Sequence, residues 1–153
     1  MSAPTIDFFV PGLAATKGSA KGFGFIRKAG PRKGSIGVSI VNDNPRAKAW
    51  AATVSLAAHA AMAGKWPIEK PVRVEIDFFL PRPKSHYLRG VLRPTAPRHV
   101  ATKPDGDKLV RCFWDALTRV AFVDDSQIVE WAGSKFYGAG AQVGARCQVW
   151  VLS

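Results

Sequence analysis

Six of the chain's 11 carboxylates fall between residues 105 and 130, and their spacing decides what chemistry to look for. Asp105-Gly106-Asp107 sets two acids one glycine apart, with Pro104 fixing the chain before them. At a junction of loop and helix both side chains can face one point. Mg²⁺ is a hard cation that takes oxygen ligands, commonly one or two carboxylates with waters and substrate phosphates. Asp124-Asp125 is the second acidic pair, just past the helix that Asp107 is predicted to begin. A helix of about 14 residues is roughly 21 Å long, so the Asp124-Asp125 turn must bend back for either acid to reach the first pair. A plainer account fits the first pair equally well: Asp107 as a helix N-cap and Asp105 as a turn residue. A calcium loop fits poorly, because the glycine stands between the acids and no bidentate Glu follows at the required distance.

Arg111 lies one turn after Asp107. A cation there can hold a scissile phosphate or stabilise transition-state charge. It can equally form an i,i+4 ion pair with Asp115, worth a few tenths of a kcal/mol. Lys135, late in the next predicted strand, reads as a surface lysine or a phosphate contact. Neither His86 nor His99 lies near a Ser or Cys in a way that makes a nucleophile triad. His59 sits inside an apolar helix and reads as structural, and Trp114 and Trp131 read as packing residues. The two cysteines, Cys112 and Cys147, form no CxxC or CxxH spacing, so neither a zinc site nor a disulfide framework is expected.

The elements that must position these residues follow from patterning and charge. The 153 residues are enough for a single domain, residues 1–153, with a core that needs no disulfide or structural metal. A formal charge of +11 points to a polyanionic partner, nucleic acid before membrane, since no basic amphipathic helix is present. No apolar stretch is long enough to span a bilayer and no signal peptide is visible, so a cytoplasmic location is expected. The stretch from Phe8 to Asn42 has no acid but carries Lys17, Lys21, Arg27, Lys28, Arg32 and Lys33. The stretch from Leu80 to Pro104 again has none but carries Arg82, Lys84, Arg89, Arg93, Arg98 and Lys103. Carboxylates repel phosphates, so an acidic cluster directly after a basic loop calls for a reason, and metal binding supplies one.

Thr5 to Val10 reads as a strand, and Gly22 to Val41 as a hairpin around a basic Gly/Pro turn. Asn42-Asp43-Asn44-Pro45 is a helix start with an Asx cap and Pro at the first position. That helix runs to about Met62 and Gly64 stops it. Val72 to Leu80 alternates cleanly, with Val72, Val74, Ile76, Phe78 and Leu80 on one face. Pro81 to Pro104 reads as a long loop without regular structure, of the kind that is usually functional in a small domain. A second helix is predicted over Asp107–Ala121, with Leu109, Cys112, Phe113, Ala116, Leu117 and Val120 as its buried stripe. Strands over Gln127–Tyr137 and Val143–Val151 close the chain. The expected class is α/β (α+β): one mixed β-sheet with two main helices packed on it.

Taken in order, these segments resemble the RusA family of Holliday junction resolvases. Lys103-Pro104-Asp105-Gly106-Asp107-Lys108-Leu109, then Asp115-Ala116-Leu117, then Asp124-Asp125-Ser126-Gln127-Ile128, then Lys135, is similar to the family pattern KPDxDNLxK…DAL…DDxQI…K. Residues 81–87 also look like the loop of phage-borne members. The likeness covers roughly Val72 to Lys135, and the first 70 residues match only loosely. It implies a RusA-like fold and a homodimer that cuts four-way DNA junctions symmetrically with Mg²⁺, for which Mn²⁺ can substitute. It implies that Asp105, Asp107 and Asp125 are the essential carboxylates, with Asp124 as the neighbouring acid. The family's lysine falls on Arg111, which supplies charge but does not easily give up a proton. The family's Asn falls on Lys108, which adds a cation beside Asp107. With Lys17, Lys21 and the loop cations, Lys108 and Lys135 make up the expected DNA contacts. A non-catalytic DNA-binding module and a nuclease for flaps remain as alternatives.

Overall fold

The computed structural model of the chain describes residues 2–18, 20–42 and 44–153, without the side chains of residues 20, 21, 41 and 42. The expected contacts of Lys21 and the capping role of Asp43 thus lie outside the described residues. Strand β1 spans Ile6–Pro11, and β2 (Ala20–Ile26) and β3 (Ile36–Asn42) form the expected hairpin. Helix α1 spans Arg46–Met62. Asn44 Oδ1 accepts from Arg46 N at 3.1 Å, which is the Asx cap expected before it. The helix ends where Ala63 and Gly64 turn left-handed, at φ 50° and 78°, a conformation that glycine adopts freely.

Strand β4 (Val72–Pro81) is the spine of the molecule. It lies between β8 (Gly144–Val151), antiparallel, and β7 (Ile128–Gly138), parallel, and β1 pairs with β8 on the far side. The sheet order is β1-β8-β4-β7, so β7 is a free edge. Every second residue of β4, from Val72 to Leu80, is buried, as the alternation predicts. These side chains meet α1 and α2 (Gly106–Leu117) in one core, in which Phe113 is centred among Phe8, Trp50 and Phe78 at ring distances of 6.0–6.4 Å. Ser55 Oγ donates to the Ala116 carbonyl at 2.8 Å and joins the two helices. Both cysteines are free and buried, and burial pushes the Cys147 thiol far up. His59 stands on the exposed side of α1, since residues 58 and 62 take the inward positions.

Two expectations need correction. Helix α2 ends at Leu117, four residues early. Thr118 is extended (ψ 131°), its hydroxyl donates to the Trp114 carbonyl at 3.0 Å, and Arg119 is left-handed at φ 66°. Phe122, fully buried, then folds back beside Thr118. Burying Phe122, which falls off the helical stripe, outweighs continuing the helix. The segment from Pro81 to Pro104 is also more ordered than a plain loop. It holds a single 3-10 turn, Lys84–His86, and a tight hairpin of β5 (Tyr87–Leu88) and β6 (Val91–Leu92), turned by Arg89 and Gly90 at positive φ.

Candidate active site at the start of the second helix

The loop after β4 is fastened to β7 by cations that the sequence offered for DNA. Arg82 stacks over the Tyr137 ring at 4.0 Å and donates to the Pro97 carbonyl at 2.7 Å. His86 meets the same ring edge-on at 5.6 Å. Lys135 Nζ donates to the carbonyls of Thr102 and Pro104, at 2.9 and 3.0 Å. Those carbonyls lie three residues and one residue before Asp105, so Lys135 sets the height and direction at which the loop enters α2. Arg93 Nε makes a long bond to the Tyr87 carbonyl at 3.4 Å. Lys84, Arg89, Arg98 and Lys103 stay exposed along the same loop.

Asp105 occupies the N-cap position of α2, extended at ψ 131°, and its carbonyl accepts from Leu109 N at 3.1 Å. Its carboxylate makes no capping bond, and Asp107 lies inside the first turn. Asp107 is therefore not the helix N-cap, and the Asp105 carboxylate, at that position, is not used to close the helix. Asp105 Oδ2 lies 3.6 Å from Lys108 Nζ, and the pair lines a depression with Thr16 and Lys103. Asp107 opens into the neighbouring groove between α2 and β7, of about 430 Å³, with Arg111, Lys135, Trp114 and Trp131. Gly133 lies on its floor, where a Cβ would come within 3.1 Å of Val110. Trp114 and Trp131 pack edge to face at 5.6 Å, and Trp131 is still 63% exposed along the groove.

Arg111 does not pair with Asp115. Lys17 does, at 2.5 Å, on the flank of the helix, while Arg111 has no ion pair among the described residues. Arg111 is exposed and lines the same groove as Asp107.

Asp124 and Asp125 are not brought to Asp105 and Asp107. They sit past the other end of α2, where Asp124 caps a 3-10 turn, Asp125–Gln127. Its carboxylate accepts from Ser126 N at 2.9 Å, and Gln127 Oε1 accepts from Asp124 N at 2.8 Å. The bonds from Ser126 hold the Asp124 carboxyl below the usual carboxylate range. Gln127 also donates to the carbonyls of Ile68 and Lys70, which pins this turn to the start of β4. Lys135 touches the Asp105 end, and the seven residue steps from Ile128 to Lys135 span roughly 23 Å of strand. Among the described residues no three His, Cys, Asp or Glu side chains are grouped to hold a metal. Asp105 and Asp107 stand at the start of α2 in two neighbouring depressions, and Asp125 is exposed beyond its other end.

The role of Lys135 was hidden in the sequence, though a signal existed. Trp131, Gly133, Lys135 and Tyr137 share the helix-facing phase of β7, which removes Lys135 from the outer surface. No helix among the described residues is long and apolar enough to cross a membrane.

Residues 26–146 match the family model described as Endodeoxyribonuclease RusA. A Bacillus subtilis (strain 168) protein described as "Uncharacterized protein YqaN" is 36% identical over 85 residues, which is 50% of this chain and 56% of that protein. The chain thus spans little more than half the length of that relative.

Proposed function

The chain belongs to the RusA family of endodeoxyribonucleases, and from that premise we propose that it is a Mg²⁺-dependent nuclease that resolves four-way DNA junctions by paired phosphodiester cleavage. The observation that carries the reading is the pair Asp105 and Asp107, uncapped at the start of α2, with Arg111 one turn on and a basic loop in front. Two carboxylates with waters and a substrate phosphate are an ordinary Mg²⁺ environment, so the residues present fit the ion. Bound there, the ion supplies an activated water and offsets charge on the phosphate.

The chain's own groups do the rest. The free N–H groups of the first turn of α2 favour a phosphate oxygen at the helix start. Arg111 offers a charge that it does not give up as a proton, so its part is electrostatic. Lys135 keeps Asp105 in place through two backbone carbonyls. Arg89, Arg98 and Lys103, exposed on the loop, meet the backbones of the arms.

The far position of Asp125 argues for a homodimer. Helix α2 and strand β7 lie side by side with the two acidic pairs at opposite ends. If two protomers are placed antiparallel along these sides about a two-fold axis, Asp125 of each meets Asp105 and Asp107 of the other. Each site is then completed in trans, and two sites face opposite strands of a junction that is itself nearly two-fold.

The test is an end-labelled four-way junction with Mg²⁺ or with EDTA. Symmetric paired nicks that need Mg²⁺, with Mn²⁺ also effective, are expected. Tight binding without cutting in either metal would overturn the enzyme reading, and cutting confined to flaps would overturn the junction as substrate.

A further inference from the structure

The β2–β3 arm has no use in the site described so far. Its strands pair residue for residue over seven positions and pack extensively only on each other. Directly opposed residues share a face. One face sets Gly22 against Ile40, Gly24 against Val38 and Ile26 against Ile36. The glycines contribute no side chain, so the face is a bare aliphatic ribbon. Ile26, Ile36, Val38 and Ile40 are 66–78% exposed. On the other face the Phe25 ring lies over Gly37 so closely that a Cβ there would sit 2.6 Å from it.

The tip is built rather than loose. Gly34 N donates to the Arg27 carbonyl at 2.8 Å, Arg27 N to the Ser35 carbonyl at 3.0 Å and Lys33 N to the Gly30 carbonyl at 3.0 Å. Gly30 and Gly34 take positive φ, which side chains would oppose. This frame presents Arg27, Lys28, Arg32 and Lys33, all exposed, beside the Ile26/Ile36 pair.

A lone two-stranded hairpin is marginal in water, and this one carries its apolar residues outside. Its working state therefore has a cover. Charge selects the cover: four cations with no acid between Phe8 and Asn42 repel a second identical tip and attract a polyanion. A two-stranded ribbon fits a DNA major groove about 12 Å wide, and apolar side chains can wedge into a base step. We propose that the β2–β3 arm is a wedge for branched DNA, with the tip cations on two phosphate backbones and Ile26 and Ile36 against bases laid open at the branch point.

The proposal rests on branched DNA being the substrate. Its test uses the Asp107→Asn protein, so that binding is read without cutting, and a four-way junction with 2-aminopurine at the branch point. Binding should raise the fluorescence several-fold. Ile26→Ser/Ile36→Ser should reduce that rise by at least half while Kd changes less than about threefold, and Ile26→Leu/Ile36→Leu should keep it. Replacing all four tip cations by Gln should lower the salt slope of binding by up to about 3.6, near 0.9 for each phosphate no longer neutralised. The arm lies outside the core, so thermal unfolding should not move in any of these proteins. An undiminished rise in the serine protein would overturn the wedge. A serine protein that turns from dimer to monomer without DNA would overturn it in favour of a second copy as the cover. A parent protein that binds no branched DNA would overturn the substrate reading, and the arm's role with it.

Discussion

Removing the Lys135 ammonium separates positioning from phosphate contact. Lys135→Met keeps the length and apolar stem of the side chain but deletes both bonds to the Thr102 and Pro104 carbonyls. A bond from a charged donor contributes about 1.5–3 kcal/mol when buried. Lys135 is half-buried and both carbonyls can turn to water, so a combined loss of about 2 kcal/mol is expected. For a domain of this size that lowers Tm by roughly 4–8 °C. The larger effect falls on the site. With its two ties gone, the loop no longer fixes where Asp105 enters α2, and misplacement by about 1 Å can cost on the order of 100-fold in rate. The assay is junction cleavage under single turnover, with Kd and its salt dependence measured in parallel on uncut junction. The expected result is a 10- to 100-fold slower cut with nearly unchanged Kd and salt slope, and partial recovery in Lys135→Arg. If Kd weakened, the salt slope fell by about one and the rate at saturation stayed intact, Lys135 would be a phosphate contact and the reasoning would be refuted.

Three further outcomes are expected. Asp107→Asn should abolish cleavage while junction binding stays equal or tightens, since a negative charge leaves the phosphate side; a joint loss of binding, measured by gel shift, would contradict its placement. Gly133→Val should fill the groove between α2 and β7 against Val110 and slow cleavage at least tenfold; an unchanged rate would show that the groove is not used. On the open face of the sheet, Asp7 accepts from Arg146 at 2.7 and 3.0 Å, and this partner holds its carboxyl below the usual range. A carboxyl depressed in the folded state stabilises above its unfolded pKa of about 4 and loses that contribution as pH falls through the folded value. Asp7→Asn should therefore lower stability at pH 7, by no more than about 1 kcal/mol for so exposed a pair, and by progressively less as pH falls below about 4; denaturant melts at pH 7 and across the acid range would show it.

Much of the fold was legible because its signals are local. The alternation of β4, the Asn44-Pro45 start of α1 and the glycines of the β2–β3 turn each encode their own geometry. The end of α2 was not legible, because Val120 and Ala121 continue a helical stripe and only the tertiary burial of Phe122 breaks it. The candidate site was half legible. Asp107 and Arg111 lie one turn apart on one helix, so spacing alone puts them on one groove, while Asp105 opens into the depression beside it. Asp125 could not be placed by spacing, since 18 residues separate it from Asp107 and the strand after it runs back along the helix. The tasks of Lys17, Arg82 and Lys135 depended on partners far along the chain. Lysines and arginines that count alike in net charge divide into those that hold the loop and those that stay exposed.

Completion of each site by two protomers can be tested by mixing two inactive proteins. Asp107→Asn and Asp125→Asn protomers, refolded together, form a heterodimer with one doubly defective site and one intact site. The mixture should regain single-strand nicking of a four-way junction in Mg²⁺, at a substantial fraction of the parent rate, while each protein alone stays inactive. Heterodimers that form but do not nick, beside a parent protein that cuts normally, would contradict a site shared between protomers.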